Sequence, residues 1–214
     1  MTRPDLARWN ARFDSEGYLF GEAPNAFLRR QTEGLLPGRA LCVADGEGRN
    51  GVWLAEQGWE VLSLDFSDVA QRKAAALAAR RGVALELVEA DVHDWAYPEA
   101  GFDLVVDIFS QFSGPADRAR KWAGMCHALR PGGLLVLQGY TPAQLRHGTG
   151  GPSQPDQLYT APMLREAFAG FEILHLAEEE TVLSEGAGHD GMSAVIGLVA
   201  RKGAGRAGSA RPGP

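Results

Sequence analysis

Cysteine, long apolar runs and positive charge are all scarce in this chain of 214 residues. The two cysteines, Cys42 and Cys126, both fall in apolar patterns. They exclude a disulfide framework or a cysteine-based zinc site, and they indicate small buried side chains in a reducing compartment. No apolar stretch approaches the length that crosses a bilayer, and the first residues lack the apolar core of a signal peptide. A cytoplasmic protein with no membrane or metal partner is therefore predicted.

Acidic residues outnumber basic ones by 27 to 21, which leaves a net charge of −6. This balance argues against a nucleic-acid partner, because phosphate binding needs a basic face. The length fits one ordinary domain, and the 45% of hydrophobic residues is enough for a good core. We expect a single domain over residues 1–202, a helical cap over residues 1–38, and a disordered tail over residues 203–214, which lack apolar anchors.

What the sequence does contain is a glycine-rich turn between an apolar strand and a helix. Leu41 to Val43 predicts the strand, and Val52 to Ala55 carries the helix to Gly58. Gly46 and Gly48 remove the Cβ where the backbone must turn and approach a ligand, and Asn50 is placed to cap the helix. Because a helix N-terminus binds anions, the turn favours a nucleotide site, although a plain turn between packed elements fits the glycines alone.

Two acidic residues follow the next strands. Glu60 to Leu64 predicts a strand that ends at Asp65, about 20 residues after the first glycine, where doubly wound sheets place a carboxylate on ribose hydroxyls. Helix capping is the alternative role for Asp65. A third strand over Ala84 to Val88 is followed by Asp91, which fits a ligand role and a turn role equally well.

The remaining pattern predicts the topology of the sheet. Phe102 to Phe109 is a nearly continuous apolar run, typical of a strand buried on both faces, and Leu134 to Leu137 predicts the fifth strand. Strands and helices alternate up to this point, which calls for parallel pairing. The last two strands, Phe171 to Leu183 and Met192 to Ala200, are joined by too few residues for a crossover helix and must pair antiparallel. We therefore predict an α/β fold: a Rossmann-like, mostly parallel seven-stranded sheet with helices on both faces and a C-terminal antiparallel hairpin.

Aromatic residues in two irregular segments suggest where an acceptor would bind. Residues 140–159 form a polar segment too long for a minimal connection, and it leaves from the carboxyl end of a strand. Residues 18–21 fit a loop tip that closes over a ligand. A modest pocket framed by Tyr18, Phe20, Tyr140 and Tyr159 suits a small, partly apolar molecule. Phe27 and Leu28, by contrast, are expected to pack against the sheet.

The motifs together resemble the class I S-adenosylmethionine-dependent methyltransferases. Gly46 to Asn50 is similar to their glycine motif, Asp65 to their ribose acid, Asp91 and Val92 to their adenine-binding pair, and residues 129–134 to their turn before strand five. The resemblance implies S-adenosylmethionine as cofactor, bound by residues of the turn and of the strand ends: Ala44, Asp45, Gly46, Gly48, Asn50, Asp65, Phe66, Ser67, Asp91, Val92, Phe109 and Ser110. Two further segments, residues 9–28 and 185–202, resemble the tellurite-resistance and thiol methyltransferase-like group.

The chain departs from the family pattern at two positions beside the expected methionine end of the cofactor. Ala44 replaces the first glycine of the motif, and Cys42 stands where an acidic residue usually closes the first strand. Asp45 with the N–H groups of the turn, or Arg12 reaching the carboxylate, are the alternatives for this end of the cofactor.

Methyl transfer needs few catalytic groups when the acceptor is soft or anionic, since alignment and desolvation supply much of the acceleration. The family resemblance implies a thiol or a selenium or tellurium oxyanion, while an oxygen or nitrogen acceptor would need a base. His189, on the hairpin turn, is the candidate base, and a turn histidine bonded to Asp190 is the alternative. An NAD(P)-binding oxidoreductase or a scaffold that only binds S-adenosylmethionine fits the same glycine turn.

Overall fold

Seven strands form one mixed sheet in the computed structural model, which describes residues 2–204. The strands are β1 (Arg39–Val43), β2 (Glu60–Asp65), β3 (Glu86–Glu89), β4 (Phe102–Ile108), β5 (Leu129–Tyr140), β6 (Phe171–Ser184) and β7 (Asp190–Lys202). Their order across the sheet is β3-β2-β1-β4-β5-β7-β6. The first five strands pair in parallel, and β7 pairs antiparallel with both β5 and β6. The predicted fold, including its C-terminal hairpin, is confirmed.

Helices cover both faces of this sheet. They are α1 (Arg3–Phe13), α2 (Ala26–Thr32), α3 (Arg49–Glu56), α4 (Asp68–Arg81), α5 (Pro115–Ala128) and α6 (Ala161–Ala167). Side chains alternate across a strand, so Leu41 and Val43 join the core under α5 and α6, whereas Ala40 and Cys42 join the core under α2 and α3. Because both faces are covered, the central strands are mostly apolar.

Both ends of α4 follow local signals, whereas the start of α3 differs from the predicted one. The hydroxyl of Ser67 accepts from the N–H of Ala70 at the start of α4, and Gly82 ends that helix with a φ of +69°. At the start of α3 the prediction is wrong: Gly48 is the N-cap, and Asn50 lies in the first turn. The amide oxygen of Asn50 instead accepts from the backbone N–H of Asn25 at 2.9 Å, so it joins α3 to α2.

Strand boundaries differ modestly from the predicted ones. The helix before the fifth strand ends at Ala128 as expected, but β5 already begins at Leu129. Its pairing with β4 breaks over the Arg-Pro-Gly-Gly stretch and resumes at Leu134. The cause is local, because Pro131 offers no N–H to the ladder and Gly132 takes a φ of +82°.

Phe27 and Leu28 are buried against the sheet, as predicted. A Cβ on Gly197 of β7 would come within 2.5 Å of the Phe27 ring, so the close seat of α2 depends on that glycine. Of the two cysteines, Cys42 is buried and Cys126 half-buried. In the part of the chain that the structure describes, no helix is long and apolar enough to span a membrane, and no group of acidic, His and Cys side chains is arranged to hold a metal ion. Residues 205–214 of the predicted tail lie outside the described residues.

Candidate functional site

Two adjoining cavities lie at the carboxyl edge of the parallel strands. The inner cavity, about 70 Å³, is bounded by the glycine turn, the ends of β2 and β4, and the rings of Trp9, Phe13 and Phe20. The outer cavity, about 400 Å³, lies between α1 and the segment that follows β5. Five residues line both cavities and form the wall between them: Trp9, Phe20, Phe109, Phe112 and His189. This edge is where open α/β sheets bind their ligands.

The three glycines of the turn have different roles. A Cβ on Gly46 would meet only the Phe13 ring, at 3.5 Å, so Gly46 is the one that faces the inner cavity. A Cβ on Gly48 would lie 2.6 Å from the Cβ of Ala74, and one on Gly51 would lie 2.5 Å from a carboxylate oxygen of Asp45. Gly48 and Gly51 are therefore required by packing.

Two buried carboxylates support the turn from below. Asp65 accepts from the N–H of Gly46 and from that of Ser67, each at 2.9 Å, and it also lines the inner cavity. Burial raises the pKa of Asp65 to about 6. Asp45 accepts from the hydroxyl of Ser63 at 2.9 Å, and burial raises its pKa to about 7. Asp65 was expected at this edge, but its role in holding the turn was not visible from the sequence.

A buried ion pair joins the turn to the C-terminal hairpin. Arg49 donates to Glu185 at 2.7 Å, and both side chains are almost fully buried. Glu185 also accepts from the backbone N–H of Ala26 and from the amide of Asn25, which in turn donates to Gln138 at 2.7 Å. Residues 9–28 and 185–202, the two segments that resemble the tellurite-resistance and thiol methyltransferase-like group, thus contact each other. About 160 residues of chain separate the contacting side chains.

Two hydrogen-bond donors at the inner cavity have no partner in the described part of the chain and would suit the methionine carboxylate of S-adenosylmethionine. Nη1 of Arg49 and Nε1 of Trp9 are buried without a hydrogen-bond partner among the described residues, and both side chains line this cavity. A buried unpaired donor is costly, and a carboxylate is the group that a guanidinium binds best. Arg49 could not be singled out from the sequence, since its position depends on the hairpin.

His189 lies in the wall between the cavities, stacked between two rings. Its ring centroid is 4.6 Å from that of Phe20 and 4.3 Å from that of Phe109, and its Nδ1 shares a 2.6 Å hydrogen bond with the hydroxyl of Tyr140. Burial, together with the charges of Arg49 and Arg12, lowers the pKa of His189 to about 3. The hydrogen-bond partner of His189 is Tyr140, and not Asp190, which the sequence offered as the alternative.

Most of the predicted cofactor residues do line the inner cavity: Ala44, Asp45, Gly46, Asn50, Asp65, Phe66, Val92, Phe109 and Ser110. Within residues 2–204, four do not. Gly48 packs on α4, and Ser67 caps that helix and donates to Asn10. The Asp91 carboxylate pairs with the ring of His93 at 2.7 Å. Arg12 lines the outer cavity instead.

Of the four aromatic residues predicted for the acceptor, Phe20 and Tyr140 line the outer cavity. The structure does not bring the other two there. Tyr18 lies against α4, where its hydroxyl donates to the carbonyl of Lys73 at 3.0 Å. Tyr159 is fully buried, with its ring centroid 5.2 Å from that of Trp122. Tyr18 thus contacts α4 and Tyr159 packs in the core, so neither ring lines the outer cavity.

A second buried ion pair, also unseen in the sequence, lies beneath the site. Lys121 of α5 is fully buried and lies 3.1 Å from a carboxylate oxygen of Asp107. Its ammonium also donates to the carbonyl of Ser110 at 3.1 Å, and the Ser110 hydroxyl donates to Asp107. These contacts hold the turn after β4, where Phe109 takes a φ of +56° that a non-glycine residue rarely adopts.

Part of the chain is similar in sequence to known methyltransferases. Residues 40–133 match the family model described as a methyltransferase domain. The demethylmenaquinone methyltransferase of Thermus thermophilus is 34% identical over 112 residues, which cover 50% of this chain and 49% of that protein. The chain thus spans about half the length of this curated relative.

Solved structures share the fold over nearly the whole chain. A structure concerned with converting a disulfide bond into a thioacetal group in echinomycin biosynthesis has a TM-score of 0.74 and 21% identity, covering 94% of each chain. The N-methyltransferase NodS of Bradyrhizobium japonicum, in complex with S-adenosyl-L-homocysteine, has a TM-score of 0.69 and 13% identity, covering 92% of this chain and 97% of NodS. At such identities these structures show the fold alone.

The match over residues 40–133 indicates a methyltransferase domain, and the chain shares its fold with an N-methyltransferase solved with S-adenosyl-L-homocysteine. The family match favours a methyltransferase over an NAD(P)-binding oxidoreductase, which the glycine turn alone left open.

Proposed function

We propose that the protein transfers the methyl group of S-adenosylmethionine to a small molecule whose nucleophile is soft or already anionic. The observation that carries this proposal is the environment of His189, whose ring lies between Phe20 and Phe109 and whose Nδ1 is hydrogen-bonded to Tyr140. His189 is the only ionisable side chain among the five described residues that line both cavities, and its pKa is lowered to about 3. A group with so low a pKa is a weak base at neutral pH, so the acceptor has to bring its own reactive electron pair.

The residues of the inner cavity suit the donor. S-adenosylmethionine supplies an electrophilic methyl group on a sulfonium sulfur, which is displaced in line by the acceptor. Asp65 faces the cavity where a ribose hydroxyl would donate, and Arg49 and Trp9 offer unpaired donors for the methionine carboxylate. Val92 and Phe66 give apolar surface for the adenine. The rings of Trp9, Phe13 and Phe20, all within residues 1–38, would cover the donor as a cap and exclude water.

The acceptor we favour is a thiol or a selenium or tellurium oxyanion, as in the tellurite-resistance and thiol methyltransferase-like group. Sulfur chemistry also occurs in the similar structure from echinomycin biosynthesis. A quinone-type acceptor is the second candidate, because the matching relative from Thermus thermophilus is a demethylmenaquinone methyltransferase. The rings of Phe20, Phe109 and Tyr140 in the outer cavity would stack on either an aromatic thiol or a quinone.

A screen with S-adenosylmethionine labelled in the methyl group tests the proposal. Thiols, selenite, tellurite, a reduced quinone, phenols and amines are offered in parallel, to the wild type and to His189→Gln. We expect label in a thiol or in selenium or tellurium compounds, with rates that change less than about tenfold in the variant, since no proton transfer to His189 is lost. Arg165→Gln, an exposed change on α6, is the matched control.

Two outcomes contradict the proposal. One is label only in phenols or amines together with a loss of about 10² to 10⁴-fold in His189→Gln, the range of a missing general base. The other is label only in RNA or protein, which would exclude a small-molecule acceptor.

A further inference from the structure

The outer cavity is lined by an arginine that has no ion pair among the described residues. Arg8 and Arg12 both line it, one turn apart on α1. Arg8 has a partner in Asp5 at 3.6 Å, whereas Arg12 has no ion pair within residues 2–204 and lies against the ring of Trp9, 4.6 Å from its centroid. Like charges at this helical spacing repel each other, so an anion beside them would be favoured.

The rest of the lining fits an anion as well. Although acidic residues predominate in the chain as a whole, the described residues that line the outer cavity include no Asp or Glu. Side-chain amides and backbone of the segment after β5, from Gly150 to Gln157, form the wall opposite α1. The two arginines are therefore the charged side chains that a ligand would meet in this lining.

The outer cavity also has apolar surface. The rings of Phe20, Phe109 and Tyr140 pack around His189 and line this cavity. A molecule in the outer cavity therefore meets aromatic rings and the exposed guanidinium of Arg12.

We propose that the outer cavity binds acceptors with a flat apolar body and a carboxylate or similar oxyanion, and that Arg12 at its rim binds the anionic group. This inference rests on the proposed function for the identity of the cavity as an acceptor site. It assigns Arg12 to the acceptor, instead of the methionine carboxylate of the donor that the sequence left open. Arg49 remains the candidate for the donor.

Binding of benzoate and of benzamide, two probes that differ in charge, tests the assignment without requiring turnover. Both are titrated by calorimetry into the protein saturated with S-adenosyl-L-homocysteine. We expect benzoate to bind about tenfold more tightly than benzamide, which is the size of one charge-assisted contact at a partly exposed site. Arg12→Gln should remove this preference, Arg12→Lys should keep part of it, and the control Arg165→Gln should keep all of it.

Affinity for S-adenosylmethionine is measured in the same variants. It distinguishes an Arg12 that binds the acceptor from an Arg12 that binds the methionine carboxylate of the donor. It should stay unchanged in Arg12→Gln. The inference is overturned if benzoate and benzamide bind equally well, or if neither binds. It is also overturned if Arg12→Gln lowers the affinity for S-adenosylmethionine. Failure of every acceptor in the labelling screen would contradict the proposed function and leave the benzoate result to stand as a separate anion site.

Discussion

At the residue scale, two carboxylates that hold the glycine turn, Asp45 and Asp65, also line the inner cavity. Asp65 was predicted as the ribose acid from its place at the end of a strand, and the structure puts it at the inner cavity. Asp65 is only 5% exposed and accepts from two backbone N–H groups. Its ligand role stays a proposal that mutation can test.

Asp65→Asn should weaken S-adenosylmethionine binding by about 10 to 100-fold, since hydrogen bonds to a charged group contribute about 1.5–3 kcal/mol. The wild-type affinity should also fall as the pH drops below about 6, where this carboxylate takes up a proton. Calorimetry from pH 5 to 8 measures both effects. The variant should lack the pH dependence near 6, and a variant with unchanged affinity at pH 8 would disprove the ribose role. Urea unfolding checks that the turn has kept its fold.

The charge of Asp45 can be tested through the stability of the protein, in the absence of any ligand. Its pKa is raised from 3.8 to about 7 in the folded protein, so the folded state binds the proton more tightly than the unfolded state does. The stabilising contribution is therefore present at low pH and is lost as the pH rises through about 7.

Asp45→Asn should remove this dependence. Between pH 6 and 8 the free energy of unfolding of the wild type should fall relative to that of the variant by about 1 kcal/mol. The asparagine side chain can still bond to Ser63, which keeps the comparison conservative. Urea unfolding at the two pH values measures the difference. Parallel pH profiles in the two proteins would show that Asp45 is ionised throughout.

At the scale of elements, Lys73 of α4 makes several of the contacts that hold the connection between α1 and α2. The ammonium of Lys73 donates to the carbonyls of Phe13, Ser15 and Gly17, at 2.8, 3.1 and 2.5 Å. It also pairs with the buried Glu47 of the glycine turn, whose other oxygen accepts from the N–H of Leu19 at 2.7 Å. Lys73 thus links the turn that would bind the cofactor to the segment that would cover it.

Lys73→Gln should loosen this cover without unfolding the sheet. Amide hydrogen exchange over residues 14–21 should speed up at least tenfold, because the lost contacts are hydrogen bonds to a charged group and Glu47 is left unpaired. In the wild type, S-adenosylmethionine should slow exchange over residues 9–21. Arg72→Gln, on the exposed side of the same helix, is the control and should change neither rate. Equal exchange with and without the ligand would argue against a cap over the donor.

At the scale of the whole molecule, the hairpin of β6 and β7 closes the site from the far end of the chain. The turn between these strands brings Glu185 to Arg49 and His189 to Phe20, and the N–H of Gly188 donates to the carbonyl of Leu19 at 3.0 Å. A Cβ on Gly186 would lie 2.4 Å from the backbone of Gly21, so the two segments pack directly. The N-terminal segment, the glycine turn and the hairpin therefore pack together as one unit.

Ligand binding should stabilise this unit as a whole. At a concentration of 100 times its Kd, S-adenosylmethionine should raise the free energy of unfolding by about 2.7 kcal/mol, whereas NAD⁺ and NADP⁺ at the same concentration should leave it unchanged. Urea unfolding with each nucleotide measures this effect. Stabilisation by a nicotinamide nucleotide and none by S-adenosylmethionine would reverse the assignment of the cofactor.

The sequence by itself determined the strands, their parallel and antiparallel pairing, and the edge at which Gly46 and Asp65 lie, because hydrophobic periodicity and glycine turns are local signals. Tertiary structure alone decided which side chains point into the cavities. It turned Tyr18 and Tyr159 away, moved Arg12 to the outer cavity and brought Arg49 to Glu185 across about 136 residues of chain. The physical reason is that the pairing of buried charges and the lowered pKa of His189 depend on neighbours that only folding brings together.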